Sequence, residues 1–152
     1  MDVKVKEYPD GTILVDGEVI KGAKDAYQED RIVEAFALLH AFIEWEMVNL
    51  YEQDYLHKGG YLHELEEKGV VQQYKFTWLR AELRKRKLID QGQDQSLGKW
   101  YDLRNRIIHR LVAYSYHNYS RNRITREEVK QGFHVGEEIA EFLRSRLAHL
   151  GS

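Results

Sequence analysis

The chain has 152 residues, enough for one domain with a real core, and its 43% hydrophobic and 32% charged residues exclude a disordered composition. A formal net charge of −2 supplies no global pull toward nucleic acid, so any such affinity must come from local basic patches. The absence of cysteine excludes disulfides and thiolate metal sites, and it fits a cytoplasmic setting. The opening MDVKVKEYPDG lacks the layout of a secretory signal. No apolar run approaches the ~20 residues that cross a bilayer, so no membrane partner is expected.

Residues 1–24 alternate apolar and polar positions around two turn signals, Pro9-Asp10-Gly11 and Asp16-Gly17. Asp-Gly favours tight hairpins because glycine tolerates positive φ, so a small β-hairpin or three-stranded meander is predicted. Such a unit is too small to be stable alone and needs a helix or a partner chain to lean on. Residues 25–150 form the helical body. Asp25 with Gln28 reads as a capping box opening a helix that runs to about Lys58. Its apolar residues, from Ile32 and Phe36 through Ile43 to Tyr51, wrap most of the circumference, as a central helix requires.

Gly59-Gly60 ends that helix, a short one over Tyr61–Glu67 stops near Gly69, and another spans about Val70 to Lys87. DQGQDQS, residues 90–96, reads as a polar loop before a helix from about Gln95 to Tyr119. Thr125 with Glu128 is a capping box for a last helix to about His149. With one proline and helical periods throughout, the fold is all-α: a four- to five-helix up-and-down bundle with a small N-terminal β-hairpin.

YDLRNRIIHR, residues 101–110, sets a guanidinium into an apolar stripe. At about 100° per residue, Leu97, Trp100, Tyr101, Ile108 and Leu111 all fall within roughly 60° of Arg104. Asn105, Tyr116 and His109 line one flank, while Asp102, Arg106 and Arg110 point toward water. A buried guanidinium is costly unless something negative meets it. Glu44, Glu46 or Glu52 of the central helix would supply an internal ion pair. The other reading leaves the arc open as a cleft or subunit seam, where Arg104 meets a phosphate.

LRNRIIH, residues 103–109, resembles the motif of HEPN domains, the nucleotide-binding helical bundles of higher eukaryotes and prokaryotes. That pattern is Arg, then often a polar residue such as Asn, then four to six residues before His. Arg104, Asn105 and His109 match it, and the resemblance covers roughly residues 25–150. The same Arg-to-His spacing recurs at Arg110/His117 and Arg144/His149, but neither has Asn after the Arg or an Arg within an apolar arc.

The resemblance implies a metal-independent endoribonuclease with Arg104 and His109 catalytic and Asn105 assisting, without metal or cofactor. Its 2′-OH attack on the adjacent phosphate leaves a 2′,3′-cyclic phosphate. Histidine suits proton transfer because its pKa near ~6.5 allows both forms at neutral pH. Arginine's planar fork suits phosphate oxygens. A single His109 does not easily act as acid and base in one step, and family members pair two Arg/His sets across a homodimer. RNA is the implied ligand, and a toxin or defence role with an antitoxin or other regulatory partner is a further expectation. In toxins held by a nucleotidyltransferase antitoxin, a Tyr often lies two residues after the His, where this chain has Leu111. A catalytically silent RNA- or nucleotide-binding module, or a structural helical dimer serving a partner protein, are the alternatives.

Two further stretches read as RNA-binding surface: RAELRKRK (80–87), with Arg80, Arg84 and Lys85, and YSYHNYSRNRITR (114–126), with Tyr116, Arg121 and Arg123. A solvated helix C-terminus is the plainer account of the first. His40/Glu44 reads as a satisfied core pair, and His57 and His63 lack a third ligand.

Overall fold

The computed structural model describes residues 4–16, 18–116 and 123–150. Strands β1 (Lys4–Glu7) and β2 (Ile13–Asp16) pair antiparallel, with Val5 opposite Val15. Six helices follow: α1 (Val19–Gln28), α2 (Ile32–His57), α3 (Leu62–Glu67), α4 (Phe76–Lys85), α5 (Gln91–Tyr116) and α6 (Arg126–Leu150). A single 3-10 turn, Val71–Gln73, precedes α4 and occupies what reads in sequence as the start of that helix.

The strands meet at the first turn signal, where Gly11 takes φ +88° and the Thr12 amide donates to Asp10 Oδ1 at 2.9 Å. No third strand follows, because the chain is already helical from Val19. Gly17 lies outside the described residues.

The helix expected over residues 25–58 is two helices. Asp25 and Gln28 sit in the last turns of α1 rather than at a start. Asp30 adopts φ +64°, the Arg31 amide donates to the Ala26 carbonyl at 2.8 Å, and the Asp30 amide to Tyr27 at 3.1 Å. This is a Schellman termination, usually built on glycine. Asp tolerates the left-handed region better than most residues, and Arg126 pairs with its carboxylate. The same closure ends α2 at Gly59, α3 at Gly69 and α4 at Lys87.

The expected loop over residues 90–96 is instead the first turn and a half of α5. Asp90 Oδ1 accepts from the Gln93 amide at 2.7 Å, and Gln93 Oε1 accepts from the Asp90 amide at 3.0 Å. That reciprocal box outweighs the polar composition of the segment. Thr125 and Glu128 form the corresponding box at α6, at 3.1 and 3.2 Å.

Helix α2 is the axis of the body, packing against α1, α4, α5 and α6. It buries Phe36, Leu39, Ile43, Met47 and Leu50 completely. The α4 end is tied to it by charge: Asp54, 5% exposed, meets Lys58 Nζ at 2.9 Å and Arg86 Nη1 at 3.4 Å. Arg86 also lies over the Tyr51 ring, 4.7 Å from its centroid.

Helix α6 approaches closely because Gly136 has no side chain. A Cβ there would stand 2.5 Å from Trp100 Cζ3 and 2.6 Å from Leu39 Cδ2. Both neighbours are fully buried and have little room to give. Gly136→Ala is therefore expected to cost about 1–3 kcal/mol in urea unfolding. Gly92→Ala, with only the Asp90 carboxylate nearby at 3.4 Å, is the matched control and should stay within about 0.5 kcal/mol of the parent.

Candidate functional site

Helix α5 buries Leu97, Trp100 and Ile107 completely, while Tyr101, Leu103, Arg104, Ile108 and Leu111 are half-buried and Val112 is exposed. The buried arc is thus narrower than the apolar pattern and runs from Leu97 through Trp100 to Ile107. Arg104 stands on its shoulder instead of at its centre. The shift follows from packing. α5 meets α2 through Trp100, which stacks on Phe36 at a centroid distance of 5.8 Å, and Ile107 faces Gly132 of α6.

None of the three carboxylates proposed from sequence pairs with Arg104. Among the described residues no carboxylate oxygen lies within 4.0 Å of its guanidinium. Glu52 accepts from the Tyr74 hydroxyl at 3.0 Å. Glu46 is held above the usual carboxylate range by burial, which Arg144 opposes. Glu44 sits 3.6 Å from His40 Nε2. Burial pushes the Glu44 carboxyl up and the field of Arg104 draws it back. Arg104 itself donates through Nη1 to Asn105 Oδ1 at 2.8 Å, and its buried Nε has no partner among the described residues.

His40 explains why Glu44 and Arg104 stay apart. Trp100 Nε1 donates to His40 Nδ1 at 3.2 Å. Indole only donates, so the imidazole proton is on Nε2, the nitrogen that faces Glu44. Phe76 and Tyr101 flank the ring at centroid distances of 5.2 and 6.2 Å. Burial first, and the Arg104 charge second, lower the His40 pKa to about 4. This is a neutral histidine used as a spacer, with one nitrogen satisfied by Trp100.

A shallow groove of about 660 Å³ opens on the free side of α5. Arg104, Asn105, Arg106, Ile108, His109 and Val112 line it. The motif residues therefore meet on one surface. Arg106, which its wheel position directs to solvent, is at the groove rim, and Arg110 is half-buried. Neither is a neutral surface position. His109 is exposed and forms no hydrogen bond with any described side chain, so Asn105 orients Arg104 and not the imidazole.

Arg80, Arg84 and Lys85 line a second groove of about 480 Å³, between α4 and α5, with Asp94. Arg80 is committed within the fold: its Nε and Nη2 reach the Asp94 carboxylate at 2.7 and 3.4 Å, lying across Gly98. Arg84 and Lys85 are exposed, as is Arg123. Arg121, His117 and the Tyr116 side chain fall outside the described residues. Arg144 lies over the Phe42 ring and near Glu18, and the His149 ring faces the Ser145 carbonyl at 2.8 Å, so both are surface groups of α6.

No grouping of three or more His, Asp or Glu side chains able to hold a metal occurs among the described residues. No helix among them is long and apolar enough to cross a membrane. No family model matches the chain, and neither does any curated protein or solved structure.

The lowered His40 pKa has a defined consequence for stability. Because the folded protein disfavours the imidazolium, the neutral ring's contribution is complete above pH ~6.5, the unfolded value, and is lost as pH falls toward 4. The urea midpoint should therefore drop over that window. His40→Gln should flatten the drop, since Gln can still accept from Trp100 but does not titrate. An equal drop in both proteins would assign it to other groups.

Proposed function

We propose that this chain is a metal-independent endoribonuclease of HEPN type, working as a homodimer in the cytoplasm as a toxin or defence component, with an antitoxin or other regulatory protein as partner. On this reading the helical body is a HEPN-like bundle carrying an N-terminal hairpin. The observation that carries it is Arg104. A half-buried guanidinium with no carboxylate in reach and a buried, unpartnered Nε is costly in a purely structural role. Its position beside Asn105 and His109 in an open groove is what a phosphate clamp needs.

In the reaction, the ribose 2′-oxygen attacks the adjacent phosphorus and loses its proton to one imidazole. The P–O5′ bond breaks, and the leaving oxygen takes a proton from another. His109 of each copy supplies these two roles, and Arg104 carries the charge on the non-bridging oxygens. The described lining residues of the groove all come from α5, so a second copy would furnish its other wall.

One observation favours a second reading. His109 has no described hydrogen-bond partner to orient it, which suits a silent RNA-binding module in which Arg104 binds and no proton moves. The third reading, an internal ion pair at Arg104, has the geometry against it.

Cleavage of RNA should persist in EDTA and yield cyclic phosphate ends, with DNA left intact for want of a 2′-OH. His109→Ala should abolish it while sparing fold and affinity. Arg104→Ala should also abolish it, with stability within about 1 kcal/mol of the parent, because no close carboxylate is stranded. Lys130→Ala, on the exposed face of α6, is the control. RNA binding without cleavage would select the silent module. A loss of about 3–5 kcal/mol in Arg104→Ala would mark a structural ion pair instead.

The homodimer has its own measurement. Sedimentation at micromolar concentration should show a two-fold dimer with Tyr101 and Ile108 near the seam. A clean monomer would remove the two-histidine mechanism.

A further inference from the structure

The α5 groove contains cations, an amide, an imidazole and two aliphatic side chains, and no carboxylate lines it. What it recognises depends on which way the Asn105 amide faces. Guanidinium has only N–H donors, so the Asn105 atom 2.8 Å from Arg104 Nη1 must be the carbonyl oxygen. A flipped amide would set donor against donor. The Nδ2 group is thereby turned away from Arg104 and has no partner among the described residues. It is also absent from the buried unpartnered side-chain atoms, so it is open to solvent.

We infer that Asn105 is a specificity-determining donor of this groove, locked by Arg104 so that its Nδ2 offers only N–H to a ligand oxygen. Arg104, Asn105 and Arg106 then form a row of donors along one side of α5. An acceptor-only group such as a phosphodiester satisfies such a row, whereas a ligand presenting N–H or ammonium groups meets unpaired donors. The inference deepens the reading of the groove as an RNA site and rests on it for its choice of ligand. It differs from a role in which Asn105 merely steadies Arg104.

Two substitutions separate these roles, with thermal melts confirming the fold of each. Asn105→Asp keeps an acceptor for Arg104 and removes the donor, while Asn105→Ala removes both. The probe is a short single-stranded 2′-O-methyl RNA, which binds without being cut, with affinity read by fluorescence anisotropy. If Nδ2 donates to the ligand, both variants weaken binding, by about ten- to a hundredfold for a hydrogen bond to a charged group, and Asp is the weaker. If Asn105 only holds Arg104, Asp binds at least as well as Ala, and that ranking overturns the inference.

An Arg104→Ala background gives a second measure. There, Asn105→Ala still weakens binding if the amide touches the ligand, and changes nothing if it acts through Arg104. A parent that binds no RNA overturns the reading of the groove and this inference together. Bound RNA with the reversed ranking, or with no effect in the Arg104→Ala background, overturns the inference alone.

Discussion

The contact between Trp100 and α2 is the constraint on which the rest of this molecule depends. A fully buried indole fills the space between α2, α5 and α6, stacked on Phe36 and pressed against the bare Cα of Gly136. Its single N–H cannot stay unpaired in that interior, and the nearest acceptor is His40. The hydrogen bond selects the imidazole tautomer, and burial keeps the ring neutral. A packing requirement in the core thus determines the protonation state of a group one layer out.

The consequences reach the surface through charge. His40 Nε2 faces Glu44, the one proposed carboxylate whose charge Arg104 demonstrably feels. With Glu44 on the far side of a neutral ring, the guanidinium turns instead to its chain neighbour, Asn105. The result is a cation whose desolvation is only partly offset from within the fold. Such an arrangement is stable enough in a half-exposed position, and an anion in the groove would complete it.

The two basic surfaces differ in the same terms. Arg80 is spent on Asp94, lying flat across Gly98, and serves to fasten α4 to α5. Arg84 and Lys85 remain exposed at the rim of that groove. Counting positive residues along RAELRKRK does not distinguish a latch from a docking surface, because the distinction lies in which acidic side chain another helix brings opposite.

Much of the helical architecture is legible in the residues alone. The apolar wrap of α2, the glycine stops at Gly59 and Gly69 and the Thr125/Glu128 box are local signals with local causes. The Asp90/Gln93 box is equally local, though hidden by the polar composition around it. The break at Asp30 is different, since a non-glycine left-handed residue carries no compositional mark and Arg126, far along the chain, meets its carboxylate. Likewise the sequence by itself determined that Arg104, Asn105 and His109 share a helix with an apolar stripe, because 3.6-residue periodicity is a property of the backbone. Only the tertiary structure decided which edge of that stripe is buried, that Glu44 stays with His40, and that Asn105 answers to Arg104. Those outcomes depend on which side chains other helices bring within a few ångströms, and no local pattern in the chain encodes that distance.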